Sequence, residues 1–176
     1  MQRVDVPFDR LVLPVVRSWE TQWFVLAAGD FPESWNCMTV AWGGLGTMWW
    51  RPIAMVVVRP TRYTYTFMEK QSAFTLSAFP EEHHEKLDYL GRRSGRDEDK
   101  VAKAGLTPIP SRKVSAPGFD EAGLIMECRK VYFHDFDPAH FLAEYIAPYY
   151  PSRDYHRMYL GEILAISGSS KYLAAE

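Results

Sequence analysis

Apolar positions along this chain come in short runs, closed by Pro, Gly or Asp, which is the pattern of strands and turns rather than of long helices. The segments 10–16, 23–28, 37–42, 53–58, 74–79, 124–133 and 158–166 read as strands, rich in Val, Ile, Tyr, Phe and Thr. The run from Ile53 to Val58 is apolar at every position, which predicts a strand covered on both faces. Gly43, Gly44 and Gly46 predict a sharp bend after Trp42, with the strand resuming at Thr47.

Helical signals fall between these runs. Segment 62–69 follows Pro60 and an N-cap candidate at Thr61, and 81–90 places Leu87 and Leu90 on one face. Segment 101–104 closes at Gly105, and 141–146 follows an Asp137-Pro138 start. Ser94 and Asp97 have capping-box spacing and predict a further helix start. Segment 107–119, with three prolines and a glycine, reads as a loop, and 167–176 as a loose tail or a partner-swapping arm. The strands follow one another with helices inserted at intervals. That order favours a mainly β fold, an antiparallel barrel with added helices, over a doubly wound sheet.

Length and charge narrow the classes further. A chain of 176 residues suits one domain over residues 1–176. The net charge of −2 provides no global field for nucleic acid or an anionic membrane. Cys37 and Cys128 belong to no C-x-x-C pair, which argues against a disulfide scaffold or zinc site and fits a reducing, cytoplasmic setting. His83 and His84 are adjacent, point apart on a helix and complete no H-E-x-x-H pair, so no metal site is expected. No apolar run is long enough to span a bilayer, and charges near the N-terminus precede no signal-type apolar region.

Three segments carry candidate chemistry. In Val58-Arg59-Pro60-Thr61-Arg62-Tyr63-Thr64 a buried strand runs into a helix start, whose unpaired N–H groups and neighbouring arginines suit a phosphate. An ordinary capped helix with solvated arginines would give the same pattern. Arg92 to Lys100 concentrates four cations with Ser94 and Gly95 at a second predicted helix start. A salt-bridged surface turn is the alternative. Ser34 to Trp42 reads as an edge strand whose backbone, with Asn36 and Thr39, offers hydrogen bonds to the polar rim of a flat ligand; alternating core and surface positions would look alike.

The runs N-C-M-T-V-A-W-G-G-L-G, R-P-T-R-Y-T-Y, F-T-L-S-A-F-P-E-E, S-G-R-D-E-D-K and D-Y-H-R-M-Y-L-G-E-I, in that order from Gln22 to Ile166, resemble the flavin reductase-like family. Within it they are most similar to flavoredoxin-type members with the FMN-binding split-barrel fold. The resemblance implies a homodimer with one FMN per subunit near the interface. It places Asn36, Met38, Thr39, Ala41 and Trp42 at the edge of the isoalloxazine. Arg59, Thr61, Arg62, Tyr63, Thr64, Ser94, Arg96 and Lys100 are placed along the ribityl-phosphate. Cys37 stands where the family often has a small or hydroxyl residue. His156 is the candidate for direct contact with flavin or substrate, with a strand-start histidine bonded to a backbone carbonyl as the alternative.

The expected activity is NAD(P)H-dependent flavin reduction, with hydride passing from NADH or NADPH to flavin N5 and electrons passing on to a second acceptor. Gly43-Gly44-Leu45-Gly46 lacks the dinucleotide-fingerprint spacing, so a nicotinamide donor would be held loosely by barrel loops. A flavoredoxin-like electron carrier with tightly bound FMN and a redox partner protein is the alternative. A barrel that holds another flat ligand without redox chemistry is the third reading.

Overall fold

Period-two burial builds most of the molecule. In the computed structural model, which describes residues 2–175, β2 (Phe24–Asp30) sends Phe24, Leu26 and Ala28 to one face and Val25 and Ala27 to the other, all fully buried. The chain runs from β1 (Val4–Asp5) through α1 (Val15–Arg17) to β2, β3 (Ser34–Val40), β4 (Gly43–Met48) and β5 (Arg51–Val58). Then come α2 (Tyr63–Lys70), β6 (Ala73–Ala78), α3 (His84–Arg92) and α4 (Lys100–Lys103). The short β7 (Pro108–Ile109) and β8 (Gly118–Phe119) form a separate ribbon, and the long β9 (Leu124–Asp135) and β10 (Arg157–Gly168) complete the chain.

The main sheet has the order β3-β2-β6-β9-β10-β5-β4, antiparallel throughout, with β1 pairing beside β10. It curls around an apolar interior formed by Phe24, Leu26, Val56, Phe74, Met126 and Tyr159, with Met68 of α2 among them. Two register shifts between β9 and β10 help a sheet of this length to bend. A second apolar layer joins Val25, Ala27 and Cys37 on the other face of β2 and β3 to Leu87 and Leu90 of α3 and Val101 of α4. Thus α3 and α4 cover the outer face of β2 and β3, while α2 contributes to the interior.

Several local expectations are corrected. Segment 10–16 is not a strand: it holds the end of a 3-10 turn, a single bridge from Leu11 to Leu173, and the start of α1. Pro14 directly before α1 breaks any ladder there. The strand after Trp42 begins at Gly43 itself, not at Thr47. A Cβ on Gly43 would lie 2.4 Å from the ring of Trp19, so glycine there admits that indole against the sheet. Segment 141–146 forms no helix; two 3-10 turns, Pro138–His140 and Ala147–Tyr149, flank it. Asp137 does cap the first, accepting from the Ala139 N–H, but the turn stops after His140.

Segment 107–119 contains the β7–β8 ribbon, held by the buried Glu127 carboxylate, which accepts from the backbone N–H groups of Arg112 and Lys113. The tail is docked up to Ala174. β10 extends to Gly168, Tyr172 is buried, and Ala174 donates its N–H to Arg10. Glu176 lies outside the described residues.

The β4–β5 hairpin turns on Trp49 and Trp50, at φ of 52° and 58°, between the paired Met48 and Arg51. Such a two-residue turn favours Asn-Gly, because a bulky side chain with positive φ costs about 1–2 kcal/mol. Trp50 is 97% exposed, so little packing offsets this strain. Replacing the pair by Asn-Gly (Trp49→Asn with Trp50→Gly) is expected to stabilise the fold by about 1–2 kcal/mol in urea unfolding. An unchanged or lower midpoint would show that the indoles contribute packing that outweighs the strain.

Candidate functional site

Where β3, the start of α2 and the turn after α3 converge, two cavities adjoin. The outer one, of about 220 Å³, is lined by Met38, Thr39, Ala41, Trp42, Arg59, Arg62 and His156, together with Val40 and Val57. The inner one, of about 120 Å³, includes Asn36, Met38, Thr61, Arg62, Tyr63, Thr64, Ser94, Arg96 and Lys100 in its lining. Met38 and Arg62 belong to both. Every residue expected from the sequence to touch cofactor or substrate therefore lines one of two connected spaces.

The inner cavity is built by a buried polar tie. Asn36 on β3 donates its side-chain N–H to Thr64 Oγ1 in the first turn of α2, at 2.8 Å. Gly95 sits against this pair: a Cβ there would come within 2.3 Å of Asn36 Oδ1. The glycine is what lets the turn close on the strand. The N-cap of α2 is Arg62, not Thr61, and no side chain caps it. The Tyr65 N–H is taken by the Arg62 carbonyl at 3.0 Å, which leaves the first-turn N–H groups of Tyr63 and Thr64 for a ligand or water.

The second arm differs from its expected form. Residues 94–97 make a turn in which Ser94 Oγ accepts from the Arg96 N–H at 3.2 Å, and Asp97 donates its N–H to the Ser94 carbonyl. The helix begins later, at Lys100, because Asp99 caps it by accepting from the Ala102 N–H. So one helix tip and one turn face each other, rather than two helix tips.

The cations divide by their partners. Lys100 is buried and donates to the carbonyls of Leu90 and Arg93, at 2.9 and 3.0 Å, which closes the end of α3. Burial depresses its pKa. Arg92 pairs with Asp88, and Arg93 lies 3.9 Å from Glu98. Arg96 lays its guanidinium on the Tyr63 ring at 4.8 Å. The guanidinium groups of Arg62 and Arg96 have no carboxylate partner among the described residues. Arg59, expected along the phosphate, lines the outer cavity instead. It pairs with Asp154 through two 2.9 Å hydrogen bonds, donates to the Tyr149 carbonyl, and stacks on Tyr150 at 5.0 Å. This ion pair holds the Asp154 carboxyl below its usual range.

In the outer cavity, Thr39 donates its hydroxyl to the Leu87 carbonyl, so its side chain can only accept from a ligand. Cys37 points into the second apolar layer, and burial pushes its thiol up to about 12, so it is a packing residue. Trp42 is 43% exposed and meets Tyr149 edge-on and His156 at a tilt. His156 is buried, with Nδ1 2.8 Å from the Tyr150 hydroxyl. Burial first, then the nearby Arg59, lowers its pKa to about 4, so the imidazole is neutral at pH 7. Sequence reasoning overlooked Tyr150 and Asp154. Asp154 stands two residues before His156 in one of the quoted motifs, whereas Tyr150 carried no local signal.

An antiparallel barrel left open beside β3, with a polar cleft at the opening, is the split-barrel architecture of flavin-binding domains. The chain belongs to the flavin reductase like domain family, which matches residues 17–173. At family level it is a flavin-handling oxidoreductase. Among solved structures it is similar to the flavoredoxin of Desulfovibrio vulgaris (Miyazaki F), at 26% identity over 92% of this chain and 73% of that one, TM-score 0.66. A flavoredoxin from Methanosarcina acetivorans matches at 20% identity, over 98% and 78%, TM-score 0.67. An FMN-binding domain of a flavin reductases-like enzyme from Shewanella baltica matches at 15%, over 97% and 78%, TM-score 0.69. No curated protein matches the chain in sequence.

The depressed His156 pKa fixes the sign of a pH effect. Between pH 6.5 and about 4 the unfolded chain binds a proton at this site that the folded chain does not, so stability falls as pH falls through that window. His156→Gln is expected to flatten that part of the curve in urea unfolding from pH 7 to 4. A parallel curve for the variant would contradict it.

Proposed function

We propose that the two cavities hold FMN, with its phosphate in the inner one and its ring in the outer, and that the protein is an NAD(P)H-dependent flavin reductase. The observation that carries this reading is the continuity of the two spaces through Met38 and Arg62, one rich in cations and N–H donors, the other walled by Trp42 and His156. The residues present suit the group. The α2 first turn, the Ser94 hydroxyl, Arg62 and Arg96 offer donors to a dianion, and Gly95 leaves the space a larger residue would fill.

Bound FMN would supply the two-electron chemistry, taking hydride from NADH or NADPH and passing electrons to a second acceptor. The chain's own residues do the positioning. The β3 backbone edges the ring, Met38 and Val57 pack beside it, and the exposed side of Trp42 leaves an approach for the donor. Arg59 and Arg62 add positive charge around the outer cavity, favouring electron density on whatever lies there. No side chain is required as acid or base for a hydride step; alignment carries it. We place His156 at the donor's entry as a neutral hydrogen-bonding group. A homodimer belongs to this reading, supported by the exposed apolar side chains Met48, Trp49 and Trp50 at the hairpin tip.

The likeness to a flavoredoxin at 26% identity favours a second reading, a carrier that exchanges electrons with a redox partner protein. Anaerobic stopped-flow mixing of the FMN-loaded protein with NADH and NADPH separates the two. Rapid loss of flavin absorbance is expected for the reductase; reduction by a protein donor alone would favour the carrier.

The phosphate placement has its own test. Arg62→Ala is expected to weaken FMN binding by about 1.5–3 kcal/mol while leaving riboflavin affinity nearly unchanged, because the lost contact is charge-assisted. Arg59→Ala should affect the two ligands alike, since its guanidinium is bound to Asp154 in the outer cavity. Equal losses for FMN and riboflavin in Arg62→Ala would place the phosphate elsewhere.

A further inference from the structure

A third cavity, of about 370 Å³, stands behind the outer one and shares a wall with it. Tyr150 lines this space, and its hydroxyl bonds His156 of the outer cavity, so this hydrogen-bonded pair stands between the two. Its floor is a packed aromatic group. Phe141 stacks on Tyr150 at 5.7 Å and 22°, and Tyr155 meets both rings at 5.8 and 5.1 Å. Leu142, on its rim, is 97% exposed. The charged residues of the lining are Glu144 and Arg153.

Arg153 is the unusual member. It holds φ of 55°, a conformation that strains any residue with a side chain, and it does so at an exposed turn. Its guanidinium has no carboxylate or carbonyl partner among the described residues. The adjacent Asp154 carboxylate is already taken by Arg59. Here a strained, unpaired cation borders an aromatic cavity.

We propose that this cavity seats the adenosine half of a nicotinamide dinucleotide, with the base against Phe141, Tyr150 and Tyr155 and a phosphate on Arg153. The inference rests on the reductase reading, in which the nicotinamide lies in the outer cavity beside Trp42 and His156. The chain has no glycine-rich phosphate fingerprint, so any hold on the far half of the donor must come from side chains, and this lining is joined to the outer cavity through the Tyr150–His156 contact. Stacking on aromatic rings and a guanidinium contact suit a planar base carrying phosphate.

Calorimetric titration of the FMN-loaded protein with ADP-ribose tests the cavity without any redox step, and NADH is compared with reduced nicotinamide mononucleotide as donor. Two variants are used: Phe141→Ala, which removes stacking surface, and Arg153→Gly, which removes the cation while keeping a residue at ease with positive φ. ADP-ribose binding and kcat/KM for NADH should each fall about tenfold in both variants. The mononucleotide, lacking the adenosine half, should be unaffected. A selective loss of 2′-phospho-ADP-ribose binding in Arg153→Gly would assign the arginine to the 2′-phosphate, and an equal loss of both ligands to the pyrophosphate.

No ADP-ribose binding, or unchanged affinity in both variants with the flavin spectrum intact, overturns the proposal. Should ADP-ribose bind through Arg153 while neither nicotinamide reduces the flavin, the reductase reading fails and the cavity assignment stands.

Discussion

The hydrogen bond from Asn36 to Thr64 is the tie on which the site depends. Both residues are buried, one on the terminal strand of the sheet, the other in the first turn of the helix that helps fill the barrel. A buried polar pair of this kind is expensive to break, at about 1–3 kcal/mol for each group left unsatisfied. It therefore holds the start of α2 against β3 rather than merely near it. Gly95 can then close on Asn36 from the third side, and the cleft acquires its cations from that turn. The outer edge of β3, which no strand among the described residues covers, becomes one wall of a cleft instead of a site for further sheet pairing.

A similar economy of partners sorts the charges. Seven basic side chains lie around the two cavities, Arg59, Arg62, Arg92, Arg93, Arg96 and Lys100 together with the neutral His156, and most have structural employment. Lys100 completes the end of α3, and Arg59 fastens the 149–154 segment through Asp154 and the Tyr149 carbonyl. Arg62 and Arg96 stand apart from this. Proximity to a cleft is thus a poor guide to ligand contact; the useful question is which donors remain after the fold has taken its share.

That division explains what the sequence could and could not reveal. The long strands were legible because burial on two faces demands runs such as 53–58 and 124–128. The residues that line the cleft were legible because their motifs are contiguous. What failed was decided by distant contacts. Gly43 looked like a bend and is a strand residue that accommodates Trp19, twenty-four positions earlier in the chain. Ser94 had capping-box spacing, yet Asp99 captured the helix start. Segment 141–146 had helical spacing, but its Phe141 ring is claimed by Tyr150 and Tyr155. The role of Arg59 could not be read locally because its partner lies 95 residues away.

The neutral state of His156 connects the electrostatics to the chemistry. An imidazole beside Arg59 and within the influence of Arg62 would add a third positive charge if protonated, and burial makes that charge more costly still. The cavity therefore excludes a proton from its own histidine while presenting Arg62 to whatever enters. A site with this bias stabilises electron density on an occupant and discourages a cation in the same place. It also keeps His156 as a hydrogen-bonding group across ordinary pH, fixed through Nδ1 by Tyr150. Orientation and field, rather than proton transfer, are what these side chains are arranged to provide.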